Sequence, residues 1–302
     1  MLPSQFRLVI NSLLLLAFVS LAYAQSEKPR KAERIAEIHA KRNEPRTAWA
    51  QDWVPPNIGW ESEKTAYRVY WGQFDFFGKK TDCLIYPTIG SQSYHEETDW
   101  GIDALNVGTT SGCGGATLYV NGQAYPVRNP EGRGEIVFTK RLLESRNDRT
   151  SIELLAQSVG PKSDAYTVRF HCSALAGRRD SPIEILITGG RPDDKIELGL
   201  GLTKLPQESL LVDTESGILG TWGCQTPVIG TIGMGIVFPA HRLIRVENSP
   251  DENRVVLKVE RDIPLRYNIQ CDWLRGRRFD RSPTAHDWLN DLRTLAAQVK
   301  LR

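Results

Sequence analysis

The sequence lacks the short motifs that announce the commonest chemistries. It has no phosphate-cradling Gly-x-x-x-x-Gly-Lys-Ser/Thr loop, no dinucleotide-binding glycine pattern after a strand, no His-Glu-x-x-His and no Gly-x-Ser-x-Gly. Each needs its spacing to hold a phosphate, a metal or an exposed nucleophile, so nucleotide chemistry, zinc proteolysis and α/β-hydrolase catalysis lose their usual support. Cysteine is sparse: Cys83, Cys113, Cys172, Cys224 and Cys271 form no CxxC metal or redox pair. An odd count leaves at least one thiol unpaired within a monomer, and buried structural cysteines are expected. An excess of one charge is also missing, with 38 basic against 36 acidic residues and a formal charge of +2. Bulk attraction to nucleic acid or to a membrane therefore has no basis.

Apolar runs are short, with one exception. Leu8 to Leu21 follows Arg7 and precedes Ala22-Tyr23-Ala24, which reads as a signal peptide over residues 1–24 with an A-x-A cleavage site. A periplasmic or secreted protein beginning at Gln25 is expected, with no membrane contact after cleavage. Residues 25–57 read as a charged, weakly amphipathic helix and then an extended aromatic segment with Trp49, Trp53, Pro55 and Pro56. Residues 58–302 read as one main domain.

That domain has the texture of a sheet protein. Short β-rich runs recur at Ala66–Trp71, Ile136–Thr139, Ile152–Ala156, Tyr166–His171, Ile183–Thr188, Ile196–Leu200, Ile232–Phe238, Leu243–Val246, Val255–Val259 and Leu265–Trp273. Turn signals such as Asn121-Gly122, Gly189-Gly190 and Asn248-Ser249-Pro250 separate them. Many strands without alternating helices predict a mainly β fold, an antiparallel sandwich of large sheets. One helix closes the chain: Ser282 suits an N-cap with Pro283 at the first helical position, and Trp288, Leu292, Leu295 and Val299 recur at helical spacing.

Reactive chemistry concentrates in Ile89 to Gly115. This stretch packs Tyr94, His95, Glu96, Glu97, Asp99, Trp100 and Asp103 together, then runs into Gly108, Gly112, Gly114 and Gly115. Imidazole is the side chain suited to proton transfer near neutral pH, so His95 suits a base, Tyr94 suits a proton donor, and Asp99 or Glu96 suits the orientation of the imidazole. The bland alternative is a polar surface loop. The acids and His95 are also of metal-ligand type, but their spacing fits no metal motif; neither metal nor cofactor is expected. A second stretch, Tyr67 to Lys80, offers Arg68 and Lys80 to a carboxylate and Trp71 to a sugar ring, although Arg68 and Asp75 equally suit a structural ion pair. A third, Arg266 to Arg281, sets five arginines and Trp273 beside Asp272 and Asp280. Trp222, Gln225, His171, His241 and His286 read as packed or solvated residues.

Several of these residues carry a resemblance. Gly59-Trp60-Glu61-Ser62-Glu63, Tyr67-Arg68-Val69-Tyr70, Asp75-Phe76-Phe77-Gly78-Lys79, Tyr94-His95-Glu96, Asp99-Trp100-Gly101, Val107-Gly108 and Cys271-Asp272-Trp273, in this order, resemble the bacterial secreted family named domain of unknown function 4861. The resemblance runs from about Ile58 to the C-terminus. It implies an association with polysaccharide breakdown, particularly of uronate-containing polymers, a lyase or dehydratase type of activity, and a galactose-mutarotase-like β-sandwich. Cys113 and Cys271 stand where small or apolar residues are expected of that family.

Together these readings predict an enzyme that eliminates water or a sugar from an anionic, uronate-containing oligosaccharide. His95 is the expected base, Tyr94 the acid and Asp99 the orienting residue. Arg68 and Lys80 are the expected carboxylate clamps, Trp71, Trp100 and Trp273 the expected platforms, and Asp272 lines the same cleft. The alternatives are a non-catalytic carbohydrate-binding protein and a mutarotase-like epimerase.

Overall fold

Strand follows strand from Thr47 to Trp273 in the computed structural model, which describes residues 44–52, 57–87, 89, 94–276 and 283–299. The signal peptide, the charged helix, Trp53, Pro55, Pro56, Ser282 and the arginines 277, 278 and 281 lie outside the described residues. The first five strands, β1 (Thr47–Gln51), β2 (Asn57–Ser62), β3 (Ala66–Tyr70), β4 (Gln73–Lys79) and β5 (Gly101–Asp103), form one antiparallel sheet in sequence order. Then come β6 (Cys113–Val120), β7 (Gln123–Pro126), β8 (Val137–Ser145), β9 (Arg149–Val159), β10 (Tyr166–Leu175) and β11 (Asp180–Gly189). The series ends with β12 (Ile196–Thr203), β13 (Ser209–Asp213), β14 (Ile218–Thr226), β15 (Gly230–Val237), β16 (Leu243–Asn248), β17 (Glu252–Lys258) and β18 (Leu265–Trp273).

An eight-stranded sheet has the order β13-β14-β15-β18-β11-β10-β9-β8, and a further five-stranded sheet the order β16-β17-β12-β6-β7. The two five-stranded sheets touch edge to edge at one parallel bridge, Phe74 with Gly112. Both pack on the eight-stranded sheet, and a single large core fills the space between. The fold is thus mainly β and antiparallel, a sandwich of large sheets, as its texture predicts.

Alternation along each strand decides what reaches that core. In β10, Tyr166, Val168 and Phe170 are fully buried whereas Thr167 and His171 are half-buried on the opposite face. Helix α1 (Ala285–Val299) covers part of that outer face, packing Trp288, Leu292 and Leu295 on Ile218, Trp222 and Val237. Its cap is Thr284, whose Oγ1 accepts the Asp287 amide at 3.2 Å and donates to the Asp287 carboxylate at 2.6 Å. The helix therefore starts after Thr284, and Pro283 precedes the cap.

The glycine-rich end of the Ile89–Gly115 stretch is not a ligand-facing loop. Cys113, Gly114 and Gly115 are buried in β6. Gly112 has φ +80, and a Cβ there would stand 1.6 Å from the Phe74 carbonyl oxygen. At this point glycine lets two segments of the chain, rather than chain and ligand, approach each other.

Candidate functional site

The outer face of the first sheet is where ionisable groups converge. Register pairs Arg68 with Asp75, Ala66 with Phe77 and Phe77 with Asp103, so these side chains share one face while Trp60, Tyr67, Val69, Phe74 and Phe76 enter the core. A two-residue turn sets this register: Trp71 and Gly72 both take positive φ, +49° and +84°, as a tight hairpin with right-twisted strands requires. A segment between β4 and β5 folds back over the face, placing Ile85, Tyr86 and Ile89 against Ala66 and Phe77, with Tyr94 and Trp100 packed alongside.

Buried polar contacts fasten that segment. Glu61, wholly buried, accepts the amides of Ile85 (3.0 Å) and Tyr86 (2.7 Å) and pairs with Lys79 at 2.5 Å. Lys79 also donates to the carbonyls of Ser62 and Cys83. The Asp103 amide donates to the Tyr94 carbonyl at 2.8 Å, and the Thr98 amide to the Gly101 carbonyl at 2.8 Å. These bonds bring Tyr94 and His95 over the sheet beside Asp103.

Arg68 lies at the centre. Its Nη2 is 2.6 Å from Oδ2 of both Asp75 and Asp103, and its Nε donates to Asp75 at 2.7 Å. The rings of Phe77, Tyr70 and Tyr94 lie 5.0, 5.1 and 5.3 Å from its guanidinium carbon. Such a guanidinium is already engaged by two acids, so Arg68 is not an open clamp for a substrate carboxylate. The structural ion pair with Asp75 describes it better.

Two carboxylates around one cation leave a surplus negative charge in a buried place. Burial raises the pKa of Asp75, with Arg68 opposing. Burial and then the neighbouring Asp75 push Asp103 well above the usual carboxylate range. The pair therefore keeps a shared proton to higher pH than either acid would alone. Burial would weaken the hold of Arg68 on its own proton, but Asp75 and Asp103 reverse this and raise it. Burial, then Asp75, pushes the Tyr70 phenol upward, which keeps that hydroxyl protonated.

The imidazole of His95 stands at the mouth of this cluster. Its Nδ1 is 3.6 Å from Asp103 Oδ2, its side chain is 72% exposed, and its ring lies 4.3 Å from that of Tyr94. Asp103, rather than Asp99 or Glu96, is the acid beside it; Asp99 and Glu96 are exposed on the loop. Oδ1 of Asp103 is buried with no hydrogen-bond partner among the described residues. The arrangement can hold a histidine tautomer with Nδ1 toward an acid and the other ring nitrogen toward a ligand.

The other expected residues divide. Lys80 belongs to the rim: it pairs with Glu97 at 2.7 Å and donates to the Thr98 carbonyl, and Arg275 reaches the same Glu97 at 2.5 Å. The Lys80 hydrogen bond and the nearby Arg275 hold Glu97 below its usual range. The third candidate stretch thus meets the first through Arg275. Trp100 packs its ring on Phe77 at 6.0 Å, and Trp71 edges against Tyr70 at the hairpin tip. Trp273 is 2% exposed, and its indole N–H is bonded to the Ile229 carbonyl, so its ring packs in the core and only edges a small recess beside Phe77. Asp272, also buried, accepts the Trp273 amide and faces Arg179 at 3.4 Å.

Asp75 and Asp103 are visible in the sequence, as a possible partner of Arg68 and as one acid of the reactive stretch, but not as acids of one cluster, and Tyr70 was given no part in the site. A hairpin signal was present in Tyr70-Trp71-Gly72-Gln73, where a two-residue turn sets Arg68 opposite Asp75. Among the described residues, no group of three His, Cys, Asp or Glu side chains is arranged to hold a metal, and no helix is long and apolar enough to cross a membrane.

Comparison with known proteins gives a family. Residues 17–301 match the family described as Domain of unknown function (DUF4861). No curated protein matches. Among solved structures, the chain is similar to the GH36 α-galactosidase AgaB from Geobacillus stearothermophilus, with 9% identity, 74% of this chain and 41% of that chain covered, and a TM-score of 0.37. It is also similar to a heparinase III, the BT4657 gene product, with 11% identity, 72% and 34% covered, and a TM-score of 0.35. The chain spans well under half the length of either.

Proposed function

The chain belongs to the DUF4861 family, and on that premise we propose that it is an exported carbohydrate-active enzyme of lyase or dehydratase type, acting on uronate-containing oligosaccharides. One observation carries the reading: an exposed imidazole, His95, set 3.6 Å from a buried carboxylate that Arg68 holds in place. A surface histidine of no consequence needs no such backing.

Elimination next to a carboxylate begins with removal of the proton on the carbon that bears it. The outward nitrogen of His95 takes that proton while Nδ1–H is directed at Asp103. The electron pair left behind becomes an enolate, and the rim cations Lys80 and Arg275 supply positive charge to it. The bond to the oxygen at the next carbon then breaks. Tyr94, packed on the imidazole, gives its proton to the leaving oxygen. Tyr70, kept protonated on another side of Arg68, is the second donor within the same cluster.

The test is the mass of the product. Purified protein incubated with uronate oligosaccharides is expected to yield fragments, or a product lighter by one water, each absorbing in the ultraviolet through its new double bond. His95→Gln is expected to lower kcat by about 10²-fold or more, and Tyr94→Phe by more than Tyr70→Phe. Unchanged masses with saturable binding would make the protein a carbohydrate-binding module instead. Unchanged masses with faster interconversion of anomers would make it an epimerase.

A further inference from the structure

On the outer face of the eight-stranded sheet, strands β10, β11 and β18 meet the C-terminal half of α1 along a groove. Two adjoining cavities of about 480 and 540 Å³ make it up, and Arg178 and Gln298 line both. Both fall in the size range of ligand clefts. A smaller recess of about 30 Å³ shares Lys64 and Arg179 with the first cavity and reaches Phe77, the ring that packs on Arg68 and Tyr94.

The floor of the groove is polar and fixed. Asp180, 5% exposed, accepts both prongs of Arg178 at 2.8 and 2.6 Å and the Asn268 side-chain amide at 2.6 Å. Ser173, 4% exposed, is bonded to Ser151 and receives Arg149 at 3.5 Å. A sheet face that packed on another layer would carry apolar groups here.

Cations outnumber acids along the lining. Lys64, Arg149, Arg178, Arg179 and Arg266 contribute five positive charges. Asp180, Glu184 and Asp291 contribute three negative ones. Acids outside the lining also pair with these cations, Glu144 with Arg149, Asp82 with Lys64 and Asp272 with Arg179. Arg266 engages Glu184 through Nε, and a guanidinium has five donors, so such pairing still leaves N–H edges for an anion. Asn268, Gln270 and Gln298 add the paired donor and acceptor groups that read hydroxyls.

We propose that this groove binds a stretch of a carboxylate-bearing polysaccharide, with arginine forks on the carboxylates and amide side chains on the hydroxyls. This rests on the groove's own charge and shape, independently of the reaction assigned to His95. Ion pairing and hydrogen bonding dominate because, among the described residues, no exposed Phe, Tyr or Trp ring lines it.

Calorimetric titration with polygalacturonate fragments of increasing length tests it. The variant is Arg149→Ala with Arg266→Ala, whose side chains are 46% and 71% exposed; Arg149 gives up only long contacts, 3.4 and 3.5 Å, to the hydroxyls of Ser151 and Ser173, which stay bonded to each other. Wild type is expected to bind long fragments more tightly than short ones, with an affinity that falls as salt rises. The double variant is expected to bind long fragments about tenfold more weakly, short ones unchanged, with its melting temperature retained. His95→Gln is expected to keep the long-fragment affinity, which separates this site from the reaction. Equal long-fragment affinity in wild type and double variant overturns the proposal, as does a wild type that binds no polygalacturonate. Tighter binding of a sulfated glucan of matched length overturns the assignment to carboxylates.

Discussion

Asp103 works through two sets of atoms. Its amide ties the loop to Tyr94, and its carboxylate meets Arg68 and His95. Folding raises the pKa values of Asp75 and Asp103 above the ordinary 3.8. The folded state therefore holds a proton that the unfolded chain releases, and stability falls as pH rises through the window from 3.8 to the raised value. Urea unfolding at a series of pH values is expected to show that fall in wild type and a flatter profile in Asp103→Asn. An identical slope in the variant would remove the shared-proton account. Glu61 and Lys79 behave differently, because each side chain is 0% exposed and the acid also caps two amides. Lys79→Met is expected to cost about 3–5 kcal/mol by stranding a buried carboxylate. Adding Glu61→Leu is not expected to restore stability, since the amides of Ile85 and Tyr86 then lose their acceptor at about 1–3 kcal/mol each. Denaturant midpoints of the single and double variants check both.

At the scale of elements, legibility followed burial. Most strands of the eight-stranded sheet showed in the sequence because one face is apolar and the other polar: Tyr166–His171 and Ile183–Thr188 were visible as the middles of β10 and β11, whereas β13 and β14 were not read. Apart from β3, visible as Ala66–Trp71, the strands of the first sheet were hidden for the opposite reason. In β2 and β4 every residue is buried, and the outer face carries Glu61, Asp75 and Lys79, so Asn-Ile-Gly-Trp-Glu-Ser and Gln-Phe-Asp-Phe-Phe-Gly-Lys show no apolar–polar contrast tied to solvent. Their charges looked like ligand chemistry, and several proved to be internal pairs. The C-terminal helix was legible from its spacing, and its start was misplaced because Thr284 caps it. Trp288, wholly buried against Trp222, is its anchor. Trp288→Ala is expected to cost about 3–5 kcal/mol. Turnover by the fraction still folded is expected to persist, since α1 carries no group of the His95 cluster.

Taken as a whole molecule, the protein joins two buried faces of different character: an apolar core between the sheets and an ionic layer beneath the loop of His95. Cysteines lie mainly in the first. All five are free thiols, with Cys113, Cys172 and Cys271 buried, Cys83 half-buried and Cys224 exposed. Under native conditions a thiol reagent is expected to label Cys224 first and Cys83 more slowly, and under denaturing conditions without reductant all five. Fewer labelled thiols in the denatured protein would show that a disulfide bridge has formed. The wall at Arg68, visible in sequence only as a possible pair with Asp75, required chain closure over the sheet to add Asp103 and His95. That ionic layer also has a use at the bench. Because burial and Asp75 already favour the neutral form of Asp103, Asp103→Asn keeps the space beside His95 filled, and above the raised pKa it removes the carboxylate there and its repulsion with Asp75. Under the elimination proposed for His95, that variant is the one to crystallise with a uronate oligosaccharide, bound but not turned over.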